Sequence, residues 1–158
     1  MARRAAERAS PPAVAGRGRQ RFSALPEAAR AGIIAVMADL AAGGLTEEML
    51  DRVEIVLAEA VNNVVEHAYA GRDTGDVGVD YHLSQDRLTI LVTDTGHPFP
   101  EESLPPGQPA PIDGPRDSLP EGGFGWLLIR KLASHVSYRR HGATNLLTIG
   151  FDAPARRA

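Results

Sequence analysis

The chain is 158 residues long, enough for one domain with a real hydrophobic core and too short for a second full one. Its formal net charge of -3 lacks the basic surplus of a nucleic-acid-binding domain, and the absence of cysteine excludes a disulfide framework or a thiolate metal site. No apolar run reaches the roughly 18 residues of a membrane span, so no membrane contact is expected and a reducing cytoplasm suits the composition.

Residues 1–20 are rich in Arg, Ala, Pro and Gly and are expected to form a disordered basic tail. A short strand is expected at Arg21 to Leu25, stopping at Pro26. From Glu27 to Ala42 the apolar positions Ala31, Ile34, Ala35, Ala38 and Ala41 recur at helical spacing, and Gly43-Gly44 ends the run. Thr46, followed by Glu47 and Glu48, is a cap with acid in the first turn. It opens a long helix to Tyr69 whose buried stripe is expected to be Leu50, Val53, Leu57, Ala60 or Val61, and Val64.

Two alternating runs, Val77 to Leu83 and Arg87 to Asp94, form an antiparallel hairpin around Ser84-Gln85-Asp86. Between His97 and Gly123 there are eight prolines, too many for a regular element, and the segment reads as a long surface loop. Phe124 to Ala133 is helical in pattern. Val136 to Arg140 and Leu146 to Phe151 are the last strands, with His141 to Asn145 turning between them. This order predicts an α+β domain over residues 21–152, a two-layer sandwich with its helices on one face of a mixed, mostly antiparallel sheet, followed by a short tail at 153–158.

Three stretches carry chemistry. In EAVNNVVEHAY (59–69), Glu59 and Asn63 lie four residues apart on one helix face, with Asn62 and Glu66 beside them. The stripe fits either a solvated surface or a pocket lining, in which the carboxylate takes a proton and the amide oxygen meets Mg²⁺. In VTDTGHP (92–98) a strand ends in Asp94 with Gly96 two residues on. That is an ordinary turn or an acceptor for an exocyclic amine beside a glycine that lets a flat ring approach. In EGGFGWLLI (121–129) glycines open directly into an apolar helix, whose N-terminus suits a phosphate. It has neither the Gly-Lys-Ser/Thr of a Walker loop nor a preceding strand.

The order of the three, with a long loop between the second and third, resembles the N, G1 and G2 boxes of the GHKL (Bergerat-fold) ATP-binding superfamily. The closest likeness is to small bacterial anti-sigma-factor serine/threonine kinases, whose boxes read EAVxNxxxHxY, D-x-G-x-P and GG-hydrophobic-G-aromatic/Leu-x-L-I. Here they are EAVNNVVEHAY, DTGHP and GGFGWLLI, and the resemblance runs from about Arg21 to Phe151.

The resemblance implies that Asn63 coordinates the Mg²⁺ bridging the ATP phosphates and that Glu59 is the general base. It implies that Asp94 bonds the adenine amino group, that Gly96 gives the ring room, and that Asn62 borders the pocket. Gly122, Gly123, Phe124 and Gly125 belong to the phosphate-wrapping segment, and residues 100–121 are the ATP lid. Its implied partners are a sigma factor and a STAS-type anti-anti-sigma protein, its implied state a homodimer.

Related kinases often carry an arginine just before the glycines, where this chain has Glu121-Gly122; Arg116 is the one basic residue of the lid. That departure motivates an alternative, a non-catalytic nucleotide-dependent module that docks a partner. His67 is expected to pack or bond within the fold, and Trp126 to sit in the core or the pocket wall.

Overall fold

In the computed structural model, which describes residues 15–71, 75–105 and 123–152, strict alternation along the strands decides which sheet face is covered. On strand β3 (Arg87–Asp94), Leu88, Ile90 and Val92 are buried and the residues between them are not. On β5 (Thr144–Asp152) the buried set is Leu147, Ile149 and Phe151. Val77, Val79 and Leu83 continue the same face on β2 (Asp76–Leu83). With β1 (Gly16–Ser23) and β4 (His135–His141) the sheet order is β1-β2-β3-β5-β4. Every neighbouring pair is antiparallel, so the mixed sheet of the sequence reading is corrected to an antiparallel one.

Strand β1 starts at Gly16, which places residues 16–20 of the expected tail in the sheet. At the inward position Gly18 the partner strand fills the space. A Cβ on Gly18 would lie 2.3 Å from the Tyr81 hydroxyl oxygen, so the Tyr81 ring occupies what a side chain on β1 would otherwise fill.

Helix α1 (Pro26–Ala42) begins with proline in its first turn and ends at Gly43. It packs through Ala29, Gly32, Ile33, Val36 and Leu40, while Ile34 from the expected apolar set is 58% exposed. Phe22 of β1 decides the face: its ring lies over Gly32, where a Cβ would meet it at 2.1 Å.

Helix α2 (Glu47–Asn63) is capped by the Thr46 hydroxyl, which accepts from the Met49 N–H at 3.4 Å. It buries Met49, Val53, Val56, Leu57, Ala60 and Val61, close to the expected stripe; Leu50 is half-buried. The α-helical ladder stops at Asn63, and Val64–Ala68 form a π-helical turn, so the expected helix to Tyr69 is two pieces. Such turns are frequent at functional sites.

Helix α3 (Gly123–Leu132) lies beside α2, its last carbonyls capped by Arg52, whose Nη2 donates to the Leu132 oxygen at 2.7 Å. A single 3₁₀ turn covers Pro100–Glu102 in the expected loop. The rest of that loop from 106 to 122, and the tail at 153–158, lie outside the described residues.

Candidate functional site

The first two chemical stretches meet at one end of the sheet. The backbone N–H of His97 donates to the Ala68 carbonyl at 2.6 Å, tying the loop after β3 to the π-turn. Tyr69, the last residue of EAVNNVVEHAY, is buried, and its hydroxyl accepts from the Thr95 N–H at 3.0 Å and donates to the Asp76 carbonyl at 2.9 Å. Gly96 is indispensable there for a reason the sequence did not suggest. A Cβ at 96 would lie 2.2 Å from the Ala68 oxygen, so glycine is required by the helix end behind it.

Asp94 stands at the end of β3 and is 8% exposed. Its Oδ1 accepts from the Gly96 N–H at 2.8 Å and from Asn145 Nδ2 at 2.7 Å. Burial pushes its carboxyl above the ordinary 3.8; the Asn145 and Gly96 hydrogen bonds and the Arg140 charge oppose that rise. Oδ2 makes no hydrogen bond among the described residues and is available to a ligand. A recess of about 410 Å³ opens at this corner, lined by Asp94, Thr93, Thr95, Thr144 and Arg21 among others.

The first and third stretches meet at Glu59. This half-buried carboxylate lies against the first turn of α3, where a Cβ on Gly125 would be 2.5 Å from its Oε2. Gly125 lies in α3, as the helical pattern from Phe124 to Ala133 predicts, and its lack of a side chain lets α3 close on α2. Beside Glu59 a recess of about 580 Å³ extends along α2 past Asp51, Glu54, Ile55 and Ala58.

Asn63 is half-buried at the junction of α2 and the π-turn, and its Nδ2 is buried with no hydrogen-bond partner among the described residues. A buried amide left unpaired costs about 1–3 kcal/mol, so the position is suited to a ligand. Half a turn of the amide plane brings Oδ1 to the same place. Mg²⁺ is a hard ion that prefers oxygen and keeps waters and substrate phosphates in its shell, so the Asn63 amide oxygen is chemically suited to be one of its ligands.

Of the other expected residues, Asn62 is exposed and lines neither recess, Phe124 is 56% exposed, and Gly123 is the first residue of α3. Gly122 and Arg116 lie outside the described residues. His67 does not pack in the fold; its side chain is 64% exposed, with Glu66 at 3.8 Å. Trp126 is buried as expected, edge-on to Phe99, which in turn meets Tyr138 edge-on.

The sequence reading missed Asn145, which it placed in a turn. The turn is the two residues Gly142 and Ala143, with Gly142 at φ 59°, and Asn145 is a β5 residue directly opposite Asp94. Asparagine and threonine are turn formers by local chemistry, and only the β3–β5 register reveals the pairing.

The family described as "Histidine kinase-like ATPase domain" matches residues 22–151. Among curated relatives, the serine-protein kinase RsbW of Halalkalibacterium halodurans is 36% identical over 110 residues, 68% of this chain and 66% of that protein. The serine-protein kinase RsbW of Listeria innocua is 28% identical over 127 residues, 79% of this chain and 81% of its own length. The chain thus spans about two thirds of the first relative's length. Among solved structures, the RsbU and RsbW domains of Rv1364c from Mycobacterium tuberculosis share the fold with a TM-score of 0.62 at 19% identity, over 90% of this chain and 34% of that one. The histidine kinase domain of the Erythrobacter litoralis EL346 blue-light activated histidine kinase does so with a TM-score of 0.50 at 22% identity, over 67% and 45%.

Proposed function

Because the chain belongs to the histidine kinase-like ATPase domain family, we propose that it is an ATP-binding serine/threonine protein kinase of the anti-sigma-factor type. In this reading it phosphorylates a STAS-type anti-anti-sigma protein and sequesters a sigma factor while that antagonist is absent. The relatives named serine-protein kinase support the choice of substrate class. A homodimer in the cytoplasm belongs to the same reading.

The observation that carries it is the buried, unpartnered amide of Asn63 one helical turn after Glu59. Asn63 would hold Mg²⁺, which when bound neutralises phosphate charge. Asp94 Oδ2 would accept from the adenine amino group, and the first turn of α3 would face the phosphates with its unpaired N–H groups. Glu59 accepts the proton of the attacking serine or threonine hydroxyl; as the new O–P bond forms at the γ-phosphorus, its bond to the bridging oxygen breaks and ADP leaves.

Transfer of labelled phosphate from ATP to an antagonist protein tests the reading. Glu59→Gln should lower the transfer rate by about 10²-fold or more with ADP affinity kept within about threefold. Glu121-Gly122 in the place of an arginine favours a second reading, a nucleotide-dependent docking module without transfer. Tight ADP binding with no transfer to any antagonist, by wild type or variant, selects it.

A further inference from the structure

Behind Asp94 lies a set of side chains that the nucleotide-binding motifs do not include. Asn145 is 4% exposed and uses every polar valence of its amide. Its Oδ1 accepts from the Tyr138 hydroxyl at 2.7 Å and from Arg140 Nη1 at 2.6 Å. Its Nδ2 donates to Asp94 Oδ1 at 2.7 Å and to the His97 carbonyl at 3.1 Å. Arginine has donors only, so the atom facing Arg140 must be the oxygen, and the amide cannot turn over. Arg140 also donates to the Gly96 carbonyl at 3.3 Å, so the same guanidinium holds the loop that follows Asp94.

This arrangement settles what Asp94 offers. With Oδ1 saturated by two donors, the carboxylate cannot rotate without losing both, and Oδ2 remains as a fixed acceptor. A base with an exocyclic amine at that point gains a charge-assisted hydrogen bond. A base with a carbonyl there sets lone pairs against a buried carboxylate, and the desolvated oxygen is left unpaired.

We propose that Asn145, oriented by Arg140 and Tyr138, is a positioning residue that makes Asp94 select adenine over 6-oxopurines. The proposal rests on reading this corner as the base site of an ATP-binding protein. It assigns the selectivity to a β4–β5 network, outside the strand-end motif that carries Asp94.

Equilibrium titrations of the full chain with Mg-ADP and Mg-IDP test it, since the two ligands differ at position 6 of the purine and at the adjoining ring nitrogen. Wild type should prefer ADP by at least about tenfold, the ratio expected from one such hydrogen bond. Asn145→Ser should bring the ratio to within about threefold, chiefly through weaker ADP binding. Arg140→Met, on an edge strand and half-exposed, removes the donor that fixes the amide and should lower the ratio by at least about threefold.

A purely structural role would weaken both nucleotides alike and leave the ratio unchanged. A wild-type ratio in either folded variant, judged by circular dichroism, overturns the proposal while the adenine reading stands. Wild type that binds neither nucleotide, or both equally, removes the adenine reading and the proposal with it.

Discussion

A buried amide donor with nothing to bond is a fault in a folded protein unless something arrives to use it. At Asn63 the residue also sits at the end of a helix whose interior disfavours asparagine by about 0.6 kcal/mol relative to alanine. Asn63→Ala should therefore raise the nucleotide-free stability by about 1–2 kcal/mol, read as a higher urea midpoint, while Mg-dependent ADP affinity falls. A lower midpoint would show that the amide is satisfied in solution. Asp94 makes a pH prediction. Its folded carboxyl titrates above the ordinary 3.8, so its stabilising contribution is complete below 3.8 and is lost as pH rises through the raised folded value. Nucleotide binding runs the other way, because the amine acceptor must be ionised. ADP affinity should weaken as pH falls into the acid window above 3.8, and Asp94→Asn should bind weakly with that dependence gone. An affinity flat across the window in wild type would refute the role. Glu59, Asn63 and Asp94 could be proposed from the sequence because each lies in a local pattern; Asn145, which bonds Asp94, could not, because its meaning comes from a residue 51 positions away.

Between elements, glycines decide which surfaces touch. Gly125 admits α3 to within contact of Glu59, and alanine there would bring a methyl group to 2.5 Å from Oε2. Alanine is the better helix former by about 1 kcal/mol. Gly125→Ala should thus leave the melting temperature unchanged or higher while phosphate transfer drops by about tenfold or more through a displaced carboxylate. Transfer at the wild-type rate would mean that Glu59 works from another rotamer. Helices and strands were readable at nearly all positions because apolar periodicity is a local signal. Where it failed, a partner element had supplied the missing information. Strand β1 carries no side chain at the inward position Gly18, since Tyr81 fills that space from across the ladder. The alanine-rich α1 has two plausible faces, and Phe22 resting on Gly32 chooses one. The π-turn left no trace in composition, because Val64 to Ala68 suit an α-helix equally well.

Across the whole molecule, the three motif stretches are held together unequally. The π-turn after α2 and the loop after β3 share a main-chain hydrogen bond, a buried tyrosine clamp and a glycine contact too close for any side chain. Helix α3 is pinned in its last turn by Arg52, which bonds the Leu132 carbonyl, and by its own Arg130, which donates twice to the Pro105 carbonyl, while its first turn meets α2 by packing at Gly125. Amide hydrogen exchange should follow this division. The His97 and Thr95 amides should exchange slowly with or without nucleotide, whereas those of Phe124 to Leu127 should slow by about tenfold or more on ADP binding. Equal protection of both sets in the free protein would contradict it. The tyrosine clamp then has a consequence for signalling. In the proposed site the base and metal positions would share one chassis, so a change from ATP to ADP would be reported through the first turn of α3, the element proposed to face the phosphates. A partner that reads the nucleotide state should therefore dock within reach of the exposed Phe124 and leave the sheet untouched.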